Sequence, residues 1–76
     1  MPAFTVEIQA SNADQSVWQA LHPAENTEGD SAETVAVDVA QHQTIAEGDN
    51  WRVCVWDGND ADTGRRAAAE FYAEDL

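Results

Sequence analysis

Residues 50–57 read Asn-Trp-Arg-Val-Cys-Val-Trp-Asp, and this stretch decides the fold. Trp51, Val53 and Val55 fall on one side of an extended chain; Arg52, Cys54 and Trp56 fall on the other. β-Branched and aromatic residues dominate, and Gly58 and Asn59 end the run, so it predicts a strand. Large groups on both faces mark a strand covered on both sides. One cover has to be a helix. The other has to be a terminal segment, a second subunit or a different protein.

Upstream, residues 3–10 alternate: Phe4, Val6, Ile8 and Ala10 point one way, and Thr5, Glu7 and Gln9 the other. That period of two predicts a half-buried strand. Residues 11–15 carry turn chemistry, and residues 16–22 read as a second strand completing a hairpin, with a short helix the competing reading. The shortness of the run and Pro23, which biases His22 to extended geometry, favour the strand. Residues 23–30 are polar and read as a loop.

Residues 31–47 predict the main helix. Asp30 or Ser31 caps it, and Glu33 places an anion in its first turn. Ala32, Val35, Ala36, Val39, Ala40 and Ala46 form one stripe, off which Val37 and Ile45 lie. Gly48 stops it. Residues 57–64 read as a polar loop. The Ala-rich residues 65–75 predict a short C-terminal helix capped by Asp62 or Thr63, with Ala68, Ala69 and Tyr72 on one side. The expected fold is a single α+β domain over residues 1–76. It has a three-stranded antiparallel sheet, β-β-α-β with strand order 2-1-3, and one main helix on one face. The right-handed crossover rule gives that order.

Composition narrows the function. The 76 residues carry 15 Asp+Glu against 3 Lys+Arg, a formal net charge of -12. All the cations are Arg: Arg52, Arg65 and Arg66. Gripping a phosphate backbone takes clustered Lys and Arg, so direct nucleic-acid binding is not expected, nor is docking on anionic lipid. No apolar run approaches the length of a membrane span. The first residues, Met-Pro-Ala-Phe-Thr-Val-Glu, lack the basic start and apolar core of a secretory signal, which points to the cytoplasm. A lone Cys excludes an internal disulfide. The acids are spread along the chain rather than gathered in a block. That favours adaptation to molar salt, where the Debye length is about 3 Å and packed carboxylates stop repelling one another. Codon usage in a GC-rich genome would give a similar composition. A block of charge would suit an interaction surface better.

Chemistry-bearing constellations are sparse. Asp57, Asn59, Asp60 and Asp62 are oxygen ligands at short spacing, but the EF-hand template fails: position five is Ala61 or Gly64, and position twelve is Ala68 or Phe71. They remain weak metal candidates, and the plain reading is a solvated turn. His22, His42 and Cys54 have no zinc-ligand spacing, and no Gly-rich elbow adjoins Cys54 to make it a nucleophile. No phosphate-cradling motif occurs, so no cofactor is expected. Three Trp in so short a chain are the clearest signal, because Trp concentrates at interfaces. Trp18, Arg52 and Trp56 are the interaction candidates, with Arg52 able to stack on Trp56. Trp56 is expected to be buried, by residues 65–76 or by a second copy. The expected function is that of a non-enzymatic acidic protein acting through self-assembly as a homodimer, or through another protein. The alternative is an acidic mimic of nucleic acid that occludes a basic protein.

Overall fold

The structure is a computed structural model that describes residues 2–11, 17–21, 23–42 and 50–73. Strand β1 (Ala3–Ser11) lies antiparallel to β4 (Trp51–Asp57), pairing Phe4 with Asp57 through Ala10 with Trp51. Opposed residues share a face, so Val6 meets Val55 and Ile8 meets Val53 on one side, while Thr5 meets Trp56 and Gln9 meets Arg52 on the other. The period-two readings of both segments hold.

The other edge of β1 takes β2 (Trp18–Ala20) near its C-terminal end and β3 (Glu25–Glu28) near its N-terminal end. The register changes between them. Gln9 pairs with Ala20, whereas Val6 pairs with Glu25, so the two registers differ by two residues. Pro23 lies between the two paired stretches and has no N–H to give a ladder. Leu21 N still donates to Ile8 O at 2.8 Å, holding the return strand in place. Strand β5 (Ala69–Tyr72) pairs with the far edge of β4, Arg52 opposite Tyr72 and Val55 opposite Ala69.

The sheet therefore has five antiparallel strands in the order β2-β1-β4-β5, with β3 on β1, instead of three in the order 2-1-3. Two segments account for the difference. Residues 25–28 (Glu-Asn-Thr-Glu), expected as loop, are an edge strand; its polarity is what an edge tolerates. Residues 69–72 (Ala-Glu-Phe-Tyr), expected as helix, are a strand, because pairing with β4 puts Phe71 and Ala69 on the core while Glu70 and Tyr72 face away. Ala has strong helix propensity, but tertiary burial overrides propensity.

Helix α1 (Ala32–His42) starts where expected. Ser31 caps it: Thr34 N donates to Ser31 Oγ at 3.2 Å, and Val35 N to Ser31 O at 3.0 Å. Its predicted continuation through residues 43–47, and the Gly48 stop, lie outside the described residues. The predicted stripe buries Val35, Ala36 and Ala40, with Ala32 and Val39 partly covered. They pack chiefly over β4 and β5, closing a core of Phe4, Val6, Ile8, Trp51, Val53 and Val55. Gly29 lets α1 approach β3, for a Cβ there would land on Val35 Cγ2.

Candidate functional site

The sheet face away from α1 holds the chemistry, and its two halves are covered differently. Over Thr5 and Trp56 lies the connection between β4 and β5. Gly58, at φ +88°, turns the chain back, and Asp60 sits at φ +52°. Thr5 Oγ1 donates to Gly58 O at 2.8 Å and accepts from Ala61 N at 2.9 Å. Asn26 and Asp60 bond reciprocally: Asn26 Nδ2 donates to Asp60 Oδ1 at 3.0 Å, and Asp60 N to Asn26 Oδ1 at 2.9 Å. Trp56 Nε1 donates to Arg65 O at 2.9 Å, and the indole is only 5% exposed. The expected burial of Trp56 is thus met from within the chain, by the 58–68 connection. The C-terminal helix expected to supply that cover is not formed there, because Ala69–Tyr72 are strand β5.

The other half is closed by side chains. Arg52 stacks under Trp18 at 4.2 Å from the ring centroid, with Tyr72 at 5.8 Å. The two rings meet edge-on, centroids 5.9 Å apart. Arg52 Nε donates to Gln9 Oε1 at 2.8 Å and Nη1 to Tyr72 Oη at 3.2 Å, while Nη1 lies 3.2 Å from Glu70 Oε2. Gln9 Nε2 passes the chain on to Glu7 Oε1 at 2.6 Å. The expected partner of Arg52 was Trp56. Register explains the change: Trp56 lies four residues along β4, opposite Thr5, while Trp18 opposite Ser11 and Tyr72 opposite Arg52 flank the guanidinium from both sides. Tyr72, Gln9, Glu7 and Glu70 were not singled out from the sequence. The alternation of β1 already put Gln9 on the face of Arg52; Glu70 and Tyr72 needed residues 69–72 to be read as a strand.

Cys54 lies beneath this cluster, 1% exposed. Burial pushes its thiol up to about 11; Arg52 opposes the shift, and the carboxylates of Glu70 and Glu7 add to it. The thiol is neutral at physiological pH and therefore a poor nucleophile. His42 sits across the sheet at the end of α1, its Nδ1 2.8 Å from Asp38 O and 3.1 Å from Asp38 Oδ1. Cys54 and His42 are not brought together, and His22 lies outside the described residues.

The loop acids serve local structure. Asp60 holds Asn26, and Asp62 Oδ1 accepts from Gly64 N at 2.9 Å in a turn. Asp57 and Asn59 are exposed and add nothing to either contact. Among the described residues no three His, Cys, Asp or Glu side chains converge on a point that would hold a metal. No helix among them is long and apolar enough to cross a membrane. A cleft of about 240 Å³ opens beside Pro23, between Val6, Ile8 and Val39 on one side and Glu25 to Thr27 on the other. No family model matches the chain, and no curated protein or solved structure matches it significantly.

Proposed function

We propose that this is a non-enzymatic interaction domain of a salt-rich cytoplasm, and that it docks a protein partner on the sheet face around Trp18, Arg52 and Tyr72. One observation carries the reading. These three half-buried residues stack on one another on a sheet face that no described helix covers. Trp, Tyr and Arg are the residue types that dominate binding hot spots, because each offers a large rigid surface with a polar tip. Here they are already held in place, so docking loses little side-chain freedom. Glu7 and Glu70 flank the stack, so the fitting partner has an apolar centre and a basic rim.

The absence of an enzymatic role rests on the same cluster. The single thiol is neutral and lies under Arg52 with no histidine beside it among the described residues. The distribution of acid supports salt adaptation. Exposed carboxylates stand on β3 (Glu25, Glu28), α1 (Glu33, Asp38), the end of β4 (Asp57), the connection after it (Asp60, Asp62) and β5 (Glu70). A mimic of nucleic acid would gather them on one face, and no observation favours that second reading.

The test compares the parent chain with Trp18→Ala and Tyr72→Ala as baits in molar KCl. Partners held by the parent and lost by both variants, with far-UV circular dichroism unchanged, are the expected result. Retention that is equal across all three refutes the assignment.

A further inference from the structure

The connection between β4 and β5 carries two of the chain's three cations, Arg65 and Arg66. Both are exposed, and among the described residues neither guanidinium lies within ion-pairing distance of a carboxylate. Arg52, by contrast, is paired with Glu70. Two unpaired arginines side by side are unexpected in a chain with five acids for every base. They border a shallow cleft of about 210 Å³ whose other walls are Asp57, Ala61, Asp62, Ala68 and the edge of Trp56. Asp57 and Asp62 are exposed too, and neither pairs with a cation among the described residues.

The cleft therefore presents two positive and two negative charges with none paired among the described residues. Its backbone is fixed by Trp56 Nε1 on Arg65 O, Gly64 N on Asp62 Oδ1, and Ala61 N on Thr5 Oγ1. We propose that this patch is a two-fold self-association surface. A second copy lays its Arg65–Arg66 pair against Asp57 and Asp62 of the first, and the reverse pairs form at the same time. An isologous contact needs a patch complementary to itself, and equal numbers of each sign supply that in a chain of net charge -12. The small side chains of Ala61 and Ala68 leave room for the guanidinium forks to reach carboxylates in bidentate geometry. A purely basic partner would do better on the acidic surface elsewhere, and a purely acidic one would meet Asp57 and Asp62.

Salt acts on this contact in a definite direction. Repulsion between two bodies of charge -12 is long-ranged, and it is screened once the Debye length falls to about 3 Å in molar salt. Paired groups in contact are screened less. The dimer accumulates as KCl rises. It uses none of Trp18, Arg52 or Tyr72, so it stands or falls apart from the docking face proposed above.

Sedimentation velocity of the full chain over a wide concentration range, at low and molar KCl, tests it. A reversible dimer in molar KCl is expected. The double variant Arg65→Glu/Arg66→Glu weakens it by at least about tenfold, through like charges brought face to face. Asp57→Arg does the same from the other side. Mixed together, these two variants form a heterodimer, since each now carries the charge the other lacks. Arg66→Gln, which leaves the carbonyl holding Trp56 untouched, gives a smaller loss in the same direction, and Trp18→Ala gives none. A chain that stays monomeric at every concentration and salt overturns the proposal. So does a dimer indifferent to charge reversal, or a pair of variants that fails to associate.

Discussion

Replacing Trp56 tests how the second sheet face is closed. The indole is 5% exposed, packs on Thr5, and donates to Arg65 O at 2.9 Å. Trp→Ala at such a site costs about 3–5 kcal/mol. At roughly 0.05–0.15 kcal/mol per residue a chain of this length has only about 4–11 kcal/mol in total, so Trp56→Ala removes between about a quarter and all of it. Trp56→Phe is the informative change. It forfeits one hydrogen bond, about 0.5–1.5 kcal/mol, since the exposed Arg65 carbonyl is free to turn to water. It also leaves a void of a few tens of Å³, worth about 1 kcal/mol at ~24 cal/mol per Å³. The sum, about 1.5–2.5 kcal/mol, lowers Tm by roughly 6–20 °C at ~4–8 °C per kcal/mol. Far-UV circular dichroism melts in molar KCl at dilute protein measure it. The cover lies within the chain, so the loss is the same on further dilution. A Phe variant melting within about 2 °C of the parent, less than half a kcal/mol on that scale, refutes this account of the loop. So does a loss that vanishes on dilution, for the cover would then be a partner subunit.

Three further outcomes are expected. A net charge of -12 on a body 35 × 24 × 17 Å in extent repels itself, so the melting midpoint rises from low salt to molar KCl by more than a matched osmolyte achieves; an equal rise with both removes the charge contribution. The Cys54 thiol is raised from 9.0 to about 11, so the folded state holds its proton longer than the unfolded state; that stability is intact below pH 9 and lost as pH rises through about 11. Urea midpoints should fall across that window, and Cys54→Ala should flatten the fall. Gly29→Ala drives a methyl group into Val35 and should cost about 1–3 kcal/mol in the same urea assay, with a neutral result showing that α1 can shift.

What was legible in the sequence was whatever repeats at the period of its element and faces the core. Phe4, Val6 and Ile8, then Trp51, Val53 and Val55, announce two strands and the side α1 must cover. Ser31 announces the helix start through its capping hydroxyl. The missed elements share a physical cause: they are short edge strands whose pairing comes from distant residues. In β3 only Thr27 is even partly buried, so no apolar alternation betrays it, and Asn26 earns its place by reaching Thr5 and Asp60. In β5 the preceding alanines mimic a helix, and the deciding partner, β4, lies more than ten residues upstream. The aromatic stack was half legible for the same reason. Trp18 and Arg52 stood out by type; Tyr72 joined them only through the pairing of β5.

The two faces of the sheet explain why so acidic a chain keeps its few cations where it does. One helix covers one face of a sheet, and among the described residues no second helix covers the other. A long connection reaches half of that face and lays a carbonyl on Trp56. The remaining half needs a cover that is wide, rigid and tolerant of water at its rim. A guanidinium between Trp18 and Tyr72 meets those needs: its plane packs on rings, its edge satisfies Gln9, Tyr72 and Glu70, and it seals Cys54 below. Lysine would satisfy a carboxylate but could not stack as a plane or bond along two edges at once. That requirement fixes Arg52 as a structural cation. Among the described residues Arg65 and Arg66 make no ion pair through their side chains, which leaves them for an intermolecular role, whereas a structural one suffices for Arg52.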